Sequence, residues 1–238
     1  MMRMGQIFRV AATAVVAISA LSAACALGPN LVVNGSFEEP ISDNVWNQNP
    51  TTWFAGQSFP GWTVTQGSID IKRSGVGFVG AGNAYDGLQF VDLNGNRPGG
   101  IAQTLAISQP GVYRLSFAMS ANVNDRLTNL ARSLRVQLAQ GASPLYDSVF
   151  TWNPANHPNH RSYQSDNALS YDWNQVDIII NTAGNYTLSF TSLYTRSPAE
   201  GPVIDDVRLQ LVPEPASMLA LGTGLVGLLA RRRRQARA

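Results

Sequence analysis

Two adjacent acid pairs, Glu38-Glu39 and Asp205-Asp206, are the residues of this 238-residue chain whose placement points most directly to chemistry. Glu38 closes the run Asn30-Leu31-Val32-Val33-Asn34-Gly35-Ser36-Phe37, and Asp205-Asp206 interrupts an otherwise apolar run from Val203 to Leu209. A carboxylate inside a strand suited to burial needs a partner. Strand alternation sends Asp205 and Asp206 to opposite faces, so at most one of them faces inward. If the first and last strands are neighbours, Glu38 and one Asp can share a hard cation. Calcium suits such a site, because it takes oxygen ligands and backbone carbonyls can complete its shell. The alternative is two solvated acid pairs.

The other reactive residue types form weaker patterns. His157 and His160 lie three apart, but Pro158 between them prevents the helical turn that would aim both at one zinc ion, so a solvated loop is expected. No serine stands in a Gly-x-Ser-x-Gly elbow. The remaining acids are scattered, so a glycoside hydrolase, which needs two carboxylates facing one cleft, is the lesser alternative. The tryptophans carry a different chemistry, since sugars stack their C–H faces on aromatic rings. Trp46, Trp53 and Trp152 lie in polar, loop-like sequence and are the candidate ligand platforms, whereas Trp62 and Trp173 flank strand-like runs and are expected in the core.

The elements that must position these residues read as strands. Tyr113, Leu115, Phe117 and Met119 alternate with smaller or polar residues, as do Leu134, Val136 and Leu138, and Tyr186, Leu188 and Phe190. Val176 to Ile180 reads as a fully buried strand. Asn94-Gly95, Pro98-Gly99-Gly100, Gln109-Pro110-Gly111 and Ala183-Gly184-Asn185 punctuate the runs as turns. Many short strands with this punctuation predict an all-β sandwich or jelly roll over 27–212. Two segments, 39–61 and 152–173, are polar and read as long loops.

The two ends read as addresses. Residues 1–26 carry Arg3 and Arg9, an apolar run and Ala24-Cys25-Ala26, the pattern of a secretory signal peptide cleaved after Ala26. Cys25 is the only cysteine, so the mature domain has none and is exported without disulfides. Residues 213–238 run Pro213-Glu214-Pro215, an apolar stretch from Met218 to Ala230, and Arg231 to Arg234. That order reads as a short membrane helix with its arginines held in the cytoplasm. The ends also explain the charge. The whole chain is +2, but seven of its 17 basic residues lie in the two terminal segments. The 27–212 domain holds ten basic and 14 acidic residues, a net −4, which leaves nucleic-acid binding without support.

The C-terminal order resembles the PEP-CTERM sorting signal of Gram-negative bacteria. The resemblance implies transient inner-membrane anchoring, cleavage near Pro213-Glu214-Pro215 by an exosortase, and delivery to the cell surface or the exopolysaccharide matrix. Asn30-Leu31 through Asn34-Gly35-Ser36-Phe37-Glu38, Phe59-Pro60-Gly61-Trp62, Val91-Asp92-Leu93-Asn94-Gly95, Gly99 to Thr104 and Gly201 to Val207 together resemble choice-of-anchor C proteins over 30–211. That resemblance implies a galactose-binding-like jelly roll akin to carbohydrate-binding modules, with a structural calcium held through Glu38 and Asp206. The expected function is a non-catalytic surface or matrix protein that binds extracellular polysaccharide. The alternative is a structural or adhesive matrix protein with protein partners.

Overall fold

The computed structural model describes residues 26–42, 52–74, 83–122, 130–158, 160 and 169–214, with isolated positions 222, 224 and 235. Ala24, Trp46, Pro215 and, apart from positions 222 and 224, the expected membrane helix lie outside the described residues.

Among the described residues, twelve strands follow in chain order. The first five are β1 (Thr52–Phe54), β2 (Ser58–Phe59), β3 (Trp62–Gln66), β4 (Ser68–Arg73) and β5 (Gln89–Asp92). The longer ones are β6 (Gly100–Ile107), β7 (Gly111–Ala121), β8 (Arg132–Gln140), β9 (Ser143–Trp152), β10 (Asp172–Ile180), β11 (Gly184–Ser192) and β12 (Pro202–Val212). They form two six-stranded sheets, ordered β1-β4-β5-β12-β7-β10 and β2-β3-β6-β11-β8-β9. Within these, β5-β12-β7-β10 and β6-β11-β8-β9 are the two four-stranded sheets of a jelly roll. The short early strands widen both sheets. The segment expected to be a long loop, 39–61, thus contributes β1 and β2, and 152–173 contains a short 3-10 helix at Pro154–Asn156.

The alternating runs bury one face each. Ile69, Ile71, Val91, Leu115, Phe117, Ile204 and Leu209 of the first sheet meet Val64, Ile101, Leu134, Val136, Leu188 and Phe190 of the second, all almost fully buried. Phe117 and Phe190 touch edge-on across the layer at 5.2 Å, and Trp62, in the core as expected, packs on Phe190 at 6.2 Å. The run 176–180 is not fully buried. It belongs to β10, the edge of the first sheet, so Ile178 and Ile180 face the core while Ile179 is 64% exposed. An edge strand of a two-layer sandwich has one face to hide, which is why Asp177 fits within it.

The first segment is indeed the neighbour of the last strand. β5 pairs with β12 only at Val203 and Ile204. Below that point residues 28–36 take its place: Gly28 N–H donates to Leu211 O (2.8 Å), Leu31 N–H to Leu209 O (2.9 Å) and Val207 N–H to Gly35 O (3.0 Å). The two backbones cross so closely at Gly35 that a Cβ there would stand 2.1 Å from Val207 O.

Candidate functional site

The two acids of β12 escape simple alternation because the strand bulges. Asp205 is opposite Ala118 and Arg208 is opposite Ser116, so β12 carries one extra residue there, and Asp206 adopts a φ of 48°. Both acids end up buried, Asp205 at 0% and Asp206 at 4% exposure, where alternation placed only one inside.

Each acid has its own partners. Asp205 accepts from the backbone N–H of Tyr85 (2.7 Å), Asp86 (3.0 Å) and Asp206 (2.7 Å). Burial pushes its carboxyl up to about 8, against the pull of these donors. Asp206 takes Arg208 in a two-pronged pair, 2.7 Å and 2.6 Å, which holds the guanidinium even more firmly protonated. Glu38 reaches from the first segment to accept from Leu88 N–H (2.8 Å) and Gln89 N–H (2.7 Å). Gly87, at φ 67°, leaves that path open, because a Cβ would sit 2.5 Å from Glu38 Oε1. Ser36 donates to Asp86 (2.7 Å). Glu38, Ser36 and Asp205 thus clamp the 84–89 segment onto the outer face of the first sheet.

What the clamp presents is aromatic. Register places Trp173 of β10, Ala118 of β7 and Asp205 of β12 in one row across the sheet. Tyr85, held through its backbone by Asp205, stacks on Trp173 with centroids 5.5 Å apart and planes 17° from parallel. Tyr171 meets Tyr85 edge-on at 5.5 Å and donates its hydroxyl to Asn83 O (2.9 Å). Burial raises that hydroxyl's pKa well above the ordinary value. The Arg208 guanidinium lies 5.9 Å from the Trp173 ring centre. Tyr85 is 48% and Trp173 42% exposed, beside Leu88 at 49%.

The same pole of the sandwich holds a second polar anchor. Asp92, fully buried, accepts from Asn94 N–H (2.9 Å), Gly201 N–H (3.0 Å) and Asn122 Nδ2 (2.6 Å), with Lys72 Nζ 3.3 Å away. Burial pushes its carboxyl up while Lys72 pulls it down. A cleft of about 280 Å³ opens nearby between Leu130, Ser133, Leu193, Tyr194 and Arg196.

The residues expected to bind ligand are placed differently. Trp152 is fully buried and donates its indole N–H to Ser170 O (3.0 Å), so it offers no platform. Trp53 packs against Phe59 at 5.5 Å on the edge of the core. The histidines are not a solvated loop. His157 stacks on Trp152 at 4.8 Å, and its Nε2 is 3.1 Å from Asp172 Oδ1. His160 Nδ1 accepts from Ser170 N–H (3.0 Å), and burial pushes its pKa down to about 4. The pair fastens the β9–β10 connection to the end of β9.

Trp173 was expected in the core and is instead the exposed ring. Its parity shows why: Trp173, Gln175, Asp177 and Ile179 share a face, and the acid on that face marks it as outward. Tyr85, Tyr171 and Arg208 carry no pattern of their own and come together only through the fold.

Glu38 and Asp206, the expected calcium pair, each have protein partners. Arg208 engages both oxygens of Asp206, and Glu38 Oε1 is committed to two backbone N–H groups. Among the described residues no three His, Cys, Asp or Glu side chains converge to hold a metal ion.

Residues 30–210, from the clamped first segment into β12, match the profile described as "Protein of unknown function (DUF642)". The chain belongs to the DUF642 family. Immediately after this DUF642 domain, residues 211–234 match the PEP-CTERM protein-sorting motif, which marks an exported chain with a C-terminal sorting signal. Halomucin of Haloquadratum walsbyi is 27% identical over 220 residues, 90% of this chain. The chain spans about 2% of the length of that curated relative. Among solved structures, carbohydrate-binding module TmCBM61 in complex with β-1,4-galactotriose is similar with a TM-score of 0.47 and 12% identity, over 78% of this chain and all of that one. A carbohydrate-binding module of Cellvibrio mixtus lichenase 5A in complex with cellotriose is similar with a TM-score of 0.38 and 10% identity, over the same two shares.

Proposed function

We propose that this DUF642 domain is an exported, non-catalytic module that binds extracellular polysaccharide on the Tyr85–Trp173 platform. The observation that carries the reading is the exposure of two stacked aromatic rings on a clamped, rigid base. Apolar ring faces suit the C–H faces of a pyranose, and Arg208, Asp86 and Gln175 around them suit its hydroxyls. The site is pre-organised, because Asp205 and Glu38 fix the backbone that carries Tyr85 before any ligand arrives.

The carboxylates nearby support a binding role over a hydrolytic one. Hydrolysis of a glycosidic bond needs one free acid and one free base on either side of it. Here Asp205, Asp206 and Glu38 each have backbone or guanidinium partners. The sorting motif supports processing by an exosortase near Pro213-Glu214-Pro215 and delivery from the inner membrane of a Gram-negative cell to its surface or matrix.

One observation favours a second reading. Leu88 extends the exposed aromatic surface into an apolar patch, and such patches also mark protein–protein contact. A glycan array decides between the two. The purified domain is expected to retain a defined set of polysaccharides, and its Trp173→Ala variant to lose them. No retention of any glycan would overturn the carbohydrate reading and leave adhesion to matrix proteins in its place.

A further inference from the structure

Among the described residues each sheet ends in two edge strands, and three of the four are guarded against further pairing. β1 and β2 are only three and two residues long, too short to template another strand. β9 carries Pro144, which has no backbone N–H to offer, and its register with β8 shifts between Leu138 and Ala139. β10 has none of these devices. It runs nine residues, Asp172–Ile180, without proline, lysine or glycine, and pairs with β7 in unbroken register along its whole length. An edge of this length and regularity presents a row of unpaired backbone groups to any strand that matches it.

The side chains of β10 say which strand matches. Trp173, Gln175, Asp177 and Ile179 share the outward face, and Trp173 and Ile179 are its exposed apolar members. Antiparallel pairing sets opposed residues on the same face, so a second copy of β10, related by a two-fold axis, has few registers available. With the axis at Asp177, two carboxylates oppose each other. With the axis at Gln175, Trp173 meets Asp177 and Ile179 is left beyond the pairing. Axes nearer either end oppose fewer residues and leave Trp173 or Ile179 bare. With the axis at Val176, Trp173 of each copy meets Ile179 of the other, and Gln175 meets Asp177. That register covers both exposed apolar residues with an aromatic–β-branched pair, made twice, and sets an amide donor against a carboxylate. On the inward face Val176, half-buried at the margin of the core, meets its own copy.

Charge and access permit this register. The two Asp177 side chains become diagonal neighbours, but each is already held by its own Arg114 through bonds of 2.7 Å and 2.9 Å. Asp172, at the start of the strand, lies 3.1 Å from His157 Nε2. Tyr85, fastened to Asp205 of β12, and Arg208 of β12 approach the Trp173 ring from the β12 side, which leaves its other side to the neighbouring strand.

We infer that β10 is a self-association edge: two copies of this chain join antiparallel through β10 about Val176, Trp173 against Ile179, and fuse their first sheets into one. The pairing is independent of glycan binding. Where the platform does bind glycan, the dimer carries two Tyr85–Trp173 platforms on one continuous sheet. They stand roughly 20 Å apart, the distance along the strand from 173 to 179, so one polysaccharide chain is held at two points.

The test uses the full chain carrying Cys25→Ala, purified in a density-matched non-ionic detergent. Sedimentation equilibrium is expected to show monomer and dimer in exchange. Ile179→Lys places a charge on the edge at an exposed position, and should raise the dimer dissociation constant by about tenfold or more while leaving Tm unchanged. Val176→Cys should link two copies through a disulfide under mild oxidation, and Gln175→Cys should do so far less. A chain that stays monomeric at every concentration reached would overturn the inference. So would a dimer indifferent to Ile179→Lys, which would place self-association on another surface. Disulfide formation through Gln175→Cys in preference to Val176→Cys would overturn the register and with it the Trp173–Ile179 contact.

Discussion

Replacing Gly35 by alanine tests the joint on which the clamped site depends. The new Cβ would meet Val207 O at 2.1 Å, against an ordinary contact of at least 3.4 Å, so the two backbones must part by about 1.3 Å. Neither side can yield by a rotamer change, since Val207 O is main chain and an alanine Cβ is fixed by its own backbone. Parting stretches the Val207 N–H to Gly35 O bond from 3.0 Å beyond hydrogen-bond range. It also loosens Phe37, fully buried and 5.6 Å from Trp62. One buried backbone bond left unmade costs about 1–3 kcal/mol, and slackened packing around a buried aromatic adds about 2 kcal/mol. The expected loss is therefore about 3–5 kcal/mol, a fall in Tm of roughly 6–20 °C for a domain of this size. Differential scanning calorimetry of the exported chain and its Gly35→Ala variant measures it. A fall below about 2 °C would refute the close crossing of the first segment over the β12 bulge.

Three further outcomes follow from buried charge. Lys72→Met strips Asp92 of its cation and should lower stability by about 3 kcal/mol in urea unfolding at constant slope, and adding Asp92→Asn should recover much of it. His160 is held neutral down to about 4, so an unfolded chain binds a proton that the folded one refuses as pH falls from 6.5. Stability should therefore drop between pH 6.5 and 4 by up to about 3 kcal/mol and then level, and His160→Gln should flatten that part of the Tm-against-pH curve. Because Arg208 occupies Asp206, a chelator should leave Tm unchanged. A drop on chelation that Glu38→Ala abolishes would show that Asp206 exchanges Arg208 for calcium.

Much of the architecture is legible in the chain, because burial of one strand face writes itself as alternation. Tyr113 to Met119, Leu134 to Leu138 and Tyr186 to Phe190 lie in β7, β8 and β11 as their patterns predict. The misreadings have local causes. Val176 to Ile180 looks fully apolar except for Asp177, but an edge position exposes Ile179, and hydrophobicity alone cannot distinguish an edge from a centre. Asp205 and Asp206 obey alternation only until a bulge adds a residue, and bulges leave no periodic mark. Trp152 and Trp173 exchange their expected roles. Trp152 stands in polar sequence yet is sealed by His157, His160 and Ser170, contacts made by residues five to eighteen positions away. The platform itself joins positions 85, 171, 173 and 208, a juxtaposition that no local pattern contains.

The central claim is that Trp173 and Tyr85 form the glycan-binding surface. The five indole N–H signals of an isotopically labelled domain, titrated with oligosaccharides released from an extracellular polysaccharide, test it most directly. The Trp173 signal should move with ligand and saturate, while those of Trp62 and Trp152, both buried in the second sheet, should stay in place. Movement confined to another tryptophan, or binding undiminished in Tyr85→Ala and Trp173→Ala variants, would contradict the account.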